Sequence, residues 1–295
     1  MPLNLPTHKP ADTDKKGNLY VVATPIGNME DITVRALKIL DQVDIIAAED
    51  TRHTGKLLSF YKIKKPLISC HEYNERGKTP SLINKLSSGL CIALVSNAGT
   101  PTMSDPGYQL IKEALKENIR VVPIPGPCAF VTGLSASGMP TDSFIFIGFP
   151  ARKKAKRLNE LRELAVEQRT IVFYESPRRI KTLLGEIILN MGDRKGVLCR
   201  EMTKMHEEFI NGRLSDIISS LEKRSSIKGE CTLIVDRDEN AGEISMEELR
   251  KEIKKNLTTS TQGLSGFAKD MAKKYNLPRK TIYDEALKIK EPAGA

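Results

Sequence analysis

No stretch of this 295-residue sequence approaches the roughly 18 consecutive apolar residues that a membrane span needs. The first sixteen residues, MPLNLPTHKPADTDKK, are polar and proline-broken and hold no apolar core of a signal peptide. They read as a flexible tail (1–16), and the protein is expected in the cytoplasm, away from membranes. Cysteine is sparse: Cys70, Cys91, Cys128, Cys199 and Cys231 form no CxxC pair, and there are only 4 histidines. Zinc sites need clustered soft ligands, so these cysteines read as small buried fillers and no metal site is expected. An odd number of them fits a reducing compartment. The familiar nucleotide loops are missing as well. Without GxGxxG after the first strand a dinucleotide-binding reading has no anchor, and without GxxxxGK[ST] a P-loop NTPase is excluded. There is no internal repeat and no low-complexity tract.

Positive charge is in surplus. The formal net charge is +9, which suits a polyanionic partner such as RNA but says nothing of the fold. From Asn18 to about Pro125 short β-branched runs (NLYVVA, VDIIAA, PLISC, CIALVS, RVVPI) alternate with segments of helical spacing. The latter cover Ile32 to Leu40, His53 to Tyr61, Thr79 to Leu86 and Tyr108 to Lys116. That alternation predicts a mainly parallel sheet covered by helices, with ligands at the carboxyl ends of its strands. PIPGPCAF is the natural hinge. Beyond it a helix (CAFVTGLSASG) and a strand (SFIFIGF) lead to a basic helix from about Lys156. The strand TIVFYES and the helix RRIKTLLGEIIL come next, then the strands GVLCREM, EEFINGR and ECTLIVD, which predict a mixed sheet. The expected organisation is an N-terminal α/β domain (17–126), a second α/β domain (127–238) and a helical C-terminal extension (239–295). In the extension, AKDMAKKYNLPRKTIYDEALK has helix-turn-helix spacing, with Ala272 inside, Asn276 at the turn and Ile282 on the second helix. A helical appendage without a ligand fits that pattern equally well.

One loop stands apart. SNAGTPTMSDPG follows the run GLCIALV and carries two glycines and two prolines but no lysine, histidine or cysteine. Gly99 permits a positive φ or a close approach, and Pro101 and Pro106 fix φ near −65°. The result is a rigid surface of backbone groups, able to read an adenosine or methionine moiety without charged side chains.

With the segments LYVVATPIGNMEDIT, AAEDTRHTGKLL, ALVSNAGTPTMSDPGY, VPIPGPCAF, FYESPRR and REMTKMHEEFINGRL in order, the sequence resembles the tetrapyrrole methylase family over about residues 17–237. Within it, the sequence resembles a branch that acts on ribosomal RNA. The resemblance implies a two-domain α/β fold and S-adenosyl-L-methionine held in the cleft between the domains. It also implies methylation of a cytidine ribose 2′-hydroxyl of 16S rRNA in the small ribosomal subunit, and a homodimer. Carried onto this chain, the cofactor-binding positions are Pro25, Ala98, Gly99, Thr100, Met103, Cys128, Ala129, Glu175, Met202, Glu230 and Cys231. Two residues depart from the branch: Asn97 stands where Asp is usual, and Arg178 where His is usual. Asn keeps the turn-shaping capacity of Asp but takes no proton, and Arg178 suits phosphate contact better than acid–base work.

A sulfonium makes its methyl group an electrophile, so alignment of the attacking oxygen supplies much of the acceleration. A carboxylate or imidazole can take the hydroxyl proton. Candidates at strand ends are Glu49, Asp50, His71, Glu72, Asp105 and Glu175, with Asp50 and Glu175 put forward as the catalytic pair. Contact with RNA phosphates is expected from Arg52, Lys153, Lys154, Lys156, Arg157, Arg178 and Arg179. Tyr61, Tyr73 and Tyr174 could stack on bases. Two other readings stay open: a small-molecule, tetrapyrrole-type methyltransferase of the same fold, and a non-catalytic nucleic-acid-binding protein that uses the C-terminal helices.

Overall fold

The computed structural model describes residues 16–237, 246–257, 263–275 and 277–290. Residues 1–15 of the expected tail and Asn276 of the expected turn lie outside the described residues. The first half folds as the alternation predicts. Strands β1 (Leu19–Val22), β2 (Ile45–Ala48), β3 (Leu67–Ser69), β4 (Ile92–Val95) and β5 (Val121–Ile124) alternate with helices α1 (Val34–Gln42), α2 (Thr51–Phe60), α3 (Glu75–Ser87) and α4 (Tyr108–Lys116). The sheet order is β3-β2-β4-β1-β5 and every pairing is parallel. Burial explains the sequence pattern: β2 and β4 are covered on both faces and all their residues are buried, so they read as continuous apolar runs. One apolar layer, with Leu40, Ile46 and Val95, fills one side of the sheet; another, with Leu82, Leu94 and Leu110, fills the other.

Helix α3 begins four residues before the expected Thr79, because Pro80 lies inside the helix and does not bound it. The early turn is fastened from outside. Glu75 is buried, and its Oε1 accepts from the amides of Gln109 (2.7 Å) and Leu110 (3.1 Å) in the first turn of α4. Those amides have no partner within their own helix, and a carboxylate there also matches the helix dipole.

Past the hinge come α5 (Ala129–Ala136), β6 (Phe144–Gly148), α6 (Lys154–Leu164), β7 (Thr170–Glu175), α7 (Ile180–Met191), β8 (Lys195–Arg200), β9 (Glu208–Arg213), α8 (Leu214–Glu222) and β10 (Cys231–Val235). The second sheet has the order β6-β7-β10-β8-β9, and only β6 and β7 run parallel, so it is mixed as expected. The sequence reading passes over α8, whose buried Leu214, Ile217 and Leu221 nonetheless keep helical spacing. On one side of this sheet lie α6, α7 and α8 around Phe173. On the other, α5 packs with Ile26 from the first half against Val172, Val197 and Ile234.

The extension contains α9 (Met246–Leu257), α10 (Leu264–Tyr275) and α11 (Arg279–Lys290). Leu249, Ile253, Phe267, Met271 and Ile282 form its core, with Ala272 packed partly against it. The expected helix pair is therefore present, and α9 joins it. Among the described residues no helix is long and apolar enough to cross a membrane.

Candidate active site

The carboxyl ends of β1, β2, β4 and β5 face the end of the second sheet where β6 and β7 finish and β10 begins. Between them lies a cleft of about 420 Å³. Its floor is the loop 96–107. Gly99 exchanges two backbone hydrogen bonds with Thr24 just beyond β1 (2.8 and 3.0 Å), and Thr100 Oγ1 donates to Pro127 O at the hinge (3.1 Å). Gly99, Thr102, Ser104 and Gly107 all take positive φ. At Gly107 (φ +125) a Cβ would fall 2.6 Å from Leu94 Cδ2, so glycine is required where the loop re-enters a helix.

Of the positions carried over for the cofactor, Ala98, Gly99, Thr100, Met103, Cys128, Ala129, Glu175, Glu230 and Cys231 line this one cleft. Pro25 and Met202 do not. Pro25 lies between Thr24, tied to the loop, and Ile26, which lines the cleft. The Met202 side chain is buried against the second sheet in the apolar layer that holds Ile26. Both support the wall from behind. Burial pushes the Cys231 thiol up to about 12, so it serves as an apolar wall group and not as a thiolate.

The acid–base candidates separate clearly. Asp50 is the N-cap of α2, accepting from the amides of Arg52 (2.8 Å) and His53 (3.4 Å), and is not part of the cleft wall. Hydrogen bonding from the Arg52 side chain is the main influence holding its carboxyl below the usual value. Glu175 does line the cleft and is buried. Its Oε1 accepts from Ser176 N (2.6 Å) and Arg179 Nε (2.8 Å), while Oε2 has no hydrogen-bond partner. Glu49 Oε2 accepts from Asn97 N at 3.0 Å. Asp105 lines the same cleft, and burial, then the neighbouring Glu49 carboxylate, push it up to about 7. His71 and Glu72 follow the edge strand β3 and lie outside the cleft wall.

Asn97 Oδ1, like Glu175 Oε2, is a buried acceptor without a partner in the cleft wall. Buried acceptors are ordinarily satisfied, so this pair calls for a ligand with N–H or O–H donors or positive charge. The amino group, ribose hydroxyls and sulfonium of S-adenosylmethionine meet that demand. The residues present fit the group.

The expected phosphate contacts divide in the same way. Arg52 is exposed and pairs with Asp50 (3.3 Å). Lys153, Lys154 and Lys156 are exposed at the start of α6, and Arg178 is exposed beside the cleft residues Ser176 and Pro177. Arg157 departs from the expectation. It is buried, with Nε 2.6 Å and Nη2 2.9 Å from the Glu186 carboxylate and Nη1 donating to Ala151 O and Arg152 O. One helical turn places it on the inner face while its lysine neighbours point outward. Arg179 is engaged with Glu175. Sequence reasoning missed Phe149, which lines the cleft and is 57% exposed. No local signal marks it: only the parallel pairing of β6 with β7 brings it to the same edge as Glu175. Among the described residues no group of three or more His, Cys, Asp or Glu could hold a metal ion.

This architecture and cleft place the chain among methylases, and it belongs to the family of tetrapyrrole (corrin/porphyrin) methylases, whose model matches residues 18–218. Its similarity is high to proteins named ribosomal RNA small subunit methyltransferase I. That of Halalkalibacterium halodurans is 50% identical over 223 residues, 76% of this chain and 77% of its own length. That of Synechocystis is 42% identical over 280 residues, 92% of this chain and 98% of its own. That of Escherichia coli O157:H7 is 47% identical over 232 residues, 78% of this chain and 80% of its own. Among solved structures, uroporphyrin-III C-methyltransferase from Thermus thermophilus superposes with a TM-score of 0.55 at 19% identity, covering 75% of this chain and 94% of that one. A structure of that enzyme complexed with S-adenosyl homocysteine gives 0.54 at 16% identity, covering 75% and 97%. These structures share the fold.

Proposed function

We propose that this protein is an S-adenosylmethionine-dependent methyltransferase of small-subunit ribosomal RNA, acting on the ribose 2′-hydroxyl of a cytidine in the 16S rRNA. It works in the cytoplasm as a homodimer, on RNA already held in the small ribosomal subunit. The observation that carries this reading is the acceptor-walled cleft, in a chain 42% identical to a so-named rRNA methyltransferase over 92% of its length.

When bound, S-adenosylmethionine supplies an electrophilic methyl group. The residues of the chain do the rest. The loop 96–107 and the turn at Cys128 and Ala129 hold the ligand by close backbone approach. Glu175 and Asn97 offer it acceptors. Asp105 would accept the proton of the ribose hydroxyl, leaving that oxygen as the nucleophile toward the methyl group the cofactor would supply. Its raised value puts the carboxylate near the operating pH, where a general base is most effective. Asp50 shapes α2 and presents Arg52. Arg52, Arg178 and the lysines of α6 hold phosphates.

The test is to incubate the full-length protein with methyl-labelled S-adenosylmethionine and small ribosomal subunits, with a tetrapyrrole as the rival acceptor. Label in one 16S rRNA ribose is the expected result. Label in the tetrapyrrole alone, or in neither, overturns the reading.

A further inference from the structure

Strand β6 ends on Gly148 with φ +72, and a Cβ there would fall 2.6 Å from Ser104 Oγ. Glycine is therefore built into this turn, which hooks the end of β6 against the loop carrying Asp105. The hook throws the next residue, Phe149, to the mouth of the cleft, where its side chain is largely exposed.

Behind it the ring is firmly backed. Phe149 meets Tyr174 edge-on, with centroids 5.6 Å apart and planes at 61°. Tyr174 meets Phe146 edge-on at 4.9 Å, and Phe146 stacks on Phe130 at 4.5 Å and 23°. Tyr174 cannot swing away, because its hydroxyl accepts from Phe130 N at 2.9 Å. A row of rings thus runs from the apolar layer beneath the second sheet to the cleft: Phe130, Phe146 and Tyr174 are half-buried, and Phe149 is the exposed member of the four. Arg152, Lys153 and Lys154 follow three to five residues later and are exposed. A rigid aromatic face beside a cleft, flanked by cations, is the arrangement by which proteins hold an unstacked nucleobase and its phosphates.

Building on the reading above, we infer that Phe149 is the stacking face for a nucleobase turned out of the RNA, which fixes the attached ribose over Asp105. Chemistry on one nucleotide of a folded RNA requires that it leave its stack, and the cost is recovered by a new stacking partner. An exposed aromatic held by other rings supplies that partner with little loss of its own freedom.

The experiment compares full-length wild type with Phe149→Leu, Phe149→Ala and Phe149→Tyr. It measures S-adenosylhomocysteine affinity by calorimetry, and KM and kcat on small ribosomal subunits. Leu and Ala are expected to leave S-adenosylhomocysteine affinity unchanged and to raise KM for the subunits on the order of ten- to a hundredfold. Tyr keeps the stacking face and is expected to stay near wild type. Because Phe149 is exposed, Leu also serves as the fold-neutral variant, checked by its melting temperature. Wild-type KM in the Leu variant overturns the inference. So does loss of S-adenosylhomocysteine affinity, which would make Phe149 a contact of the cofactor. A wild-type enzyme that binds S-adenosylhomocysteine but methylates no subunit overturns the proposed function instead, which separates the two failures.

Discussion

Gly99 and Asp105 carry the most specific consequences of a single side chain. At Gly99 (φ +77) an added Cβ meets Ile26 Cγ2 at 3.4 Å and Pro127 O at 3.7 Å, contacts that fit, but the left-handed backbone resists a β-branched residue. Gly99→Val should therefore move the loop while the strands beneath it stay folded. Calorimetry should show S-adenosylhomocysteine affinity lowered about tenfold or more, a cost of about 1.4 kcal/mol, with unchanged circular dichroism. Asp105 faces Glu49, Glu230, Ser96 and Tyr174. Its folded value near 7 exceeds the ordinary 3.8, so the folded state holds the proton more tightly than the unfolded chain. Stability from this group is complete below the ordinary value and is lost as the pH rises through about 7. Turnover has the opposite slope, since only the carboxylate accepts a proton. Methyl transfer should climb through about pH 7 and level off above it. Asp105→Asn should lower kcat by about a hundredfold or more and raise the melting temperature at pH 8. A variant with full activity would clear Asp105 of the role.

Helix α6 shows how one basic run serves two ends. Its lysines face solvent, whereas Arg157 is fixed to Glu186 with both side chains about nine-tenths buried. Reversing Lys153, Lys154 and Lys156 to Glu together should weaken RNA binding and flatten its dependence on salt, since fewer counterions are released. S-adenosylhomocysteine affinity should not change. Arg157→Ala should act differently. It leaves the Glu186 carboxylate buried without its partner, which destabilises by about 3–5 kcal/mol, readable from urea unfolding. A stable Arg157→Ala protein with impaired RNA binding would return this residue to the phosphate contacts. In sequence the four cations look alike, and only the packing of α6 against α7 tells them apart.

For the whole molecule, the helices α9, α10 and α11 have their own core around Leu249, Phe267 and Ile282. Among the described residues, those that line the cleft all fall between Ile26 and Thr232. Ending the chain after Arg237 should therefore leave S-adenosylhomocysteine affinity unchanged in calorimetry. Lost affinity would mean that the extension supports the cleft.

Much of this was legible in the sequence because its signals are local. Parallel strands covered on both faces must be continuous apolar runs, and TPIGN, NAGTP and PGPCA mark their ends by turn chemistry that needs no partner. The strand order, the cleft and the choice among carboxylates are set by contacts between residues far apart in the chain. Asp50 and Asp105 are both acidic residues after strands. Nothing local says that one caps a helix beside Arg52 while the other, half-buried in the cleft, faces Glu49. Phe149 reads as one more apolar residue until β6 pairs with β7 and Gly148 turns its ring toward the cleft. Identity, spacing and φ preference belong to the sequence. Burial and neighbouring charge decide which acid can take a proton, and they exist only once the two sheets face each other.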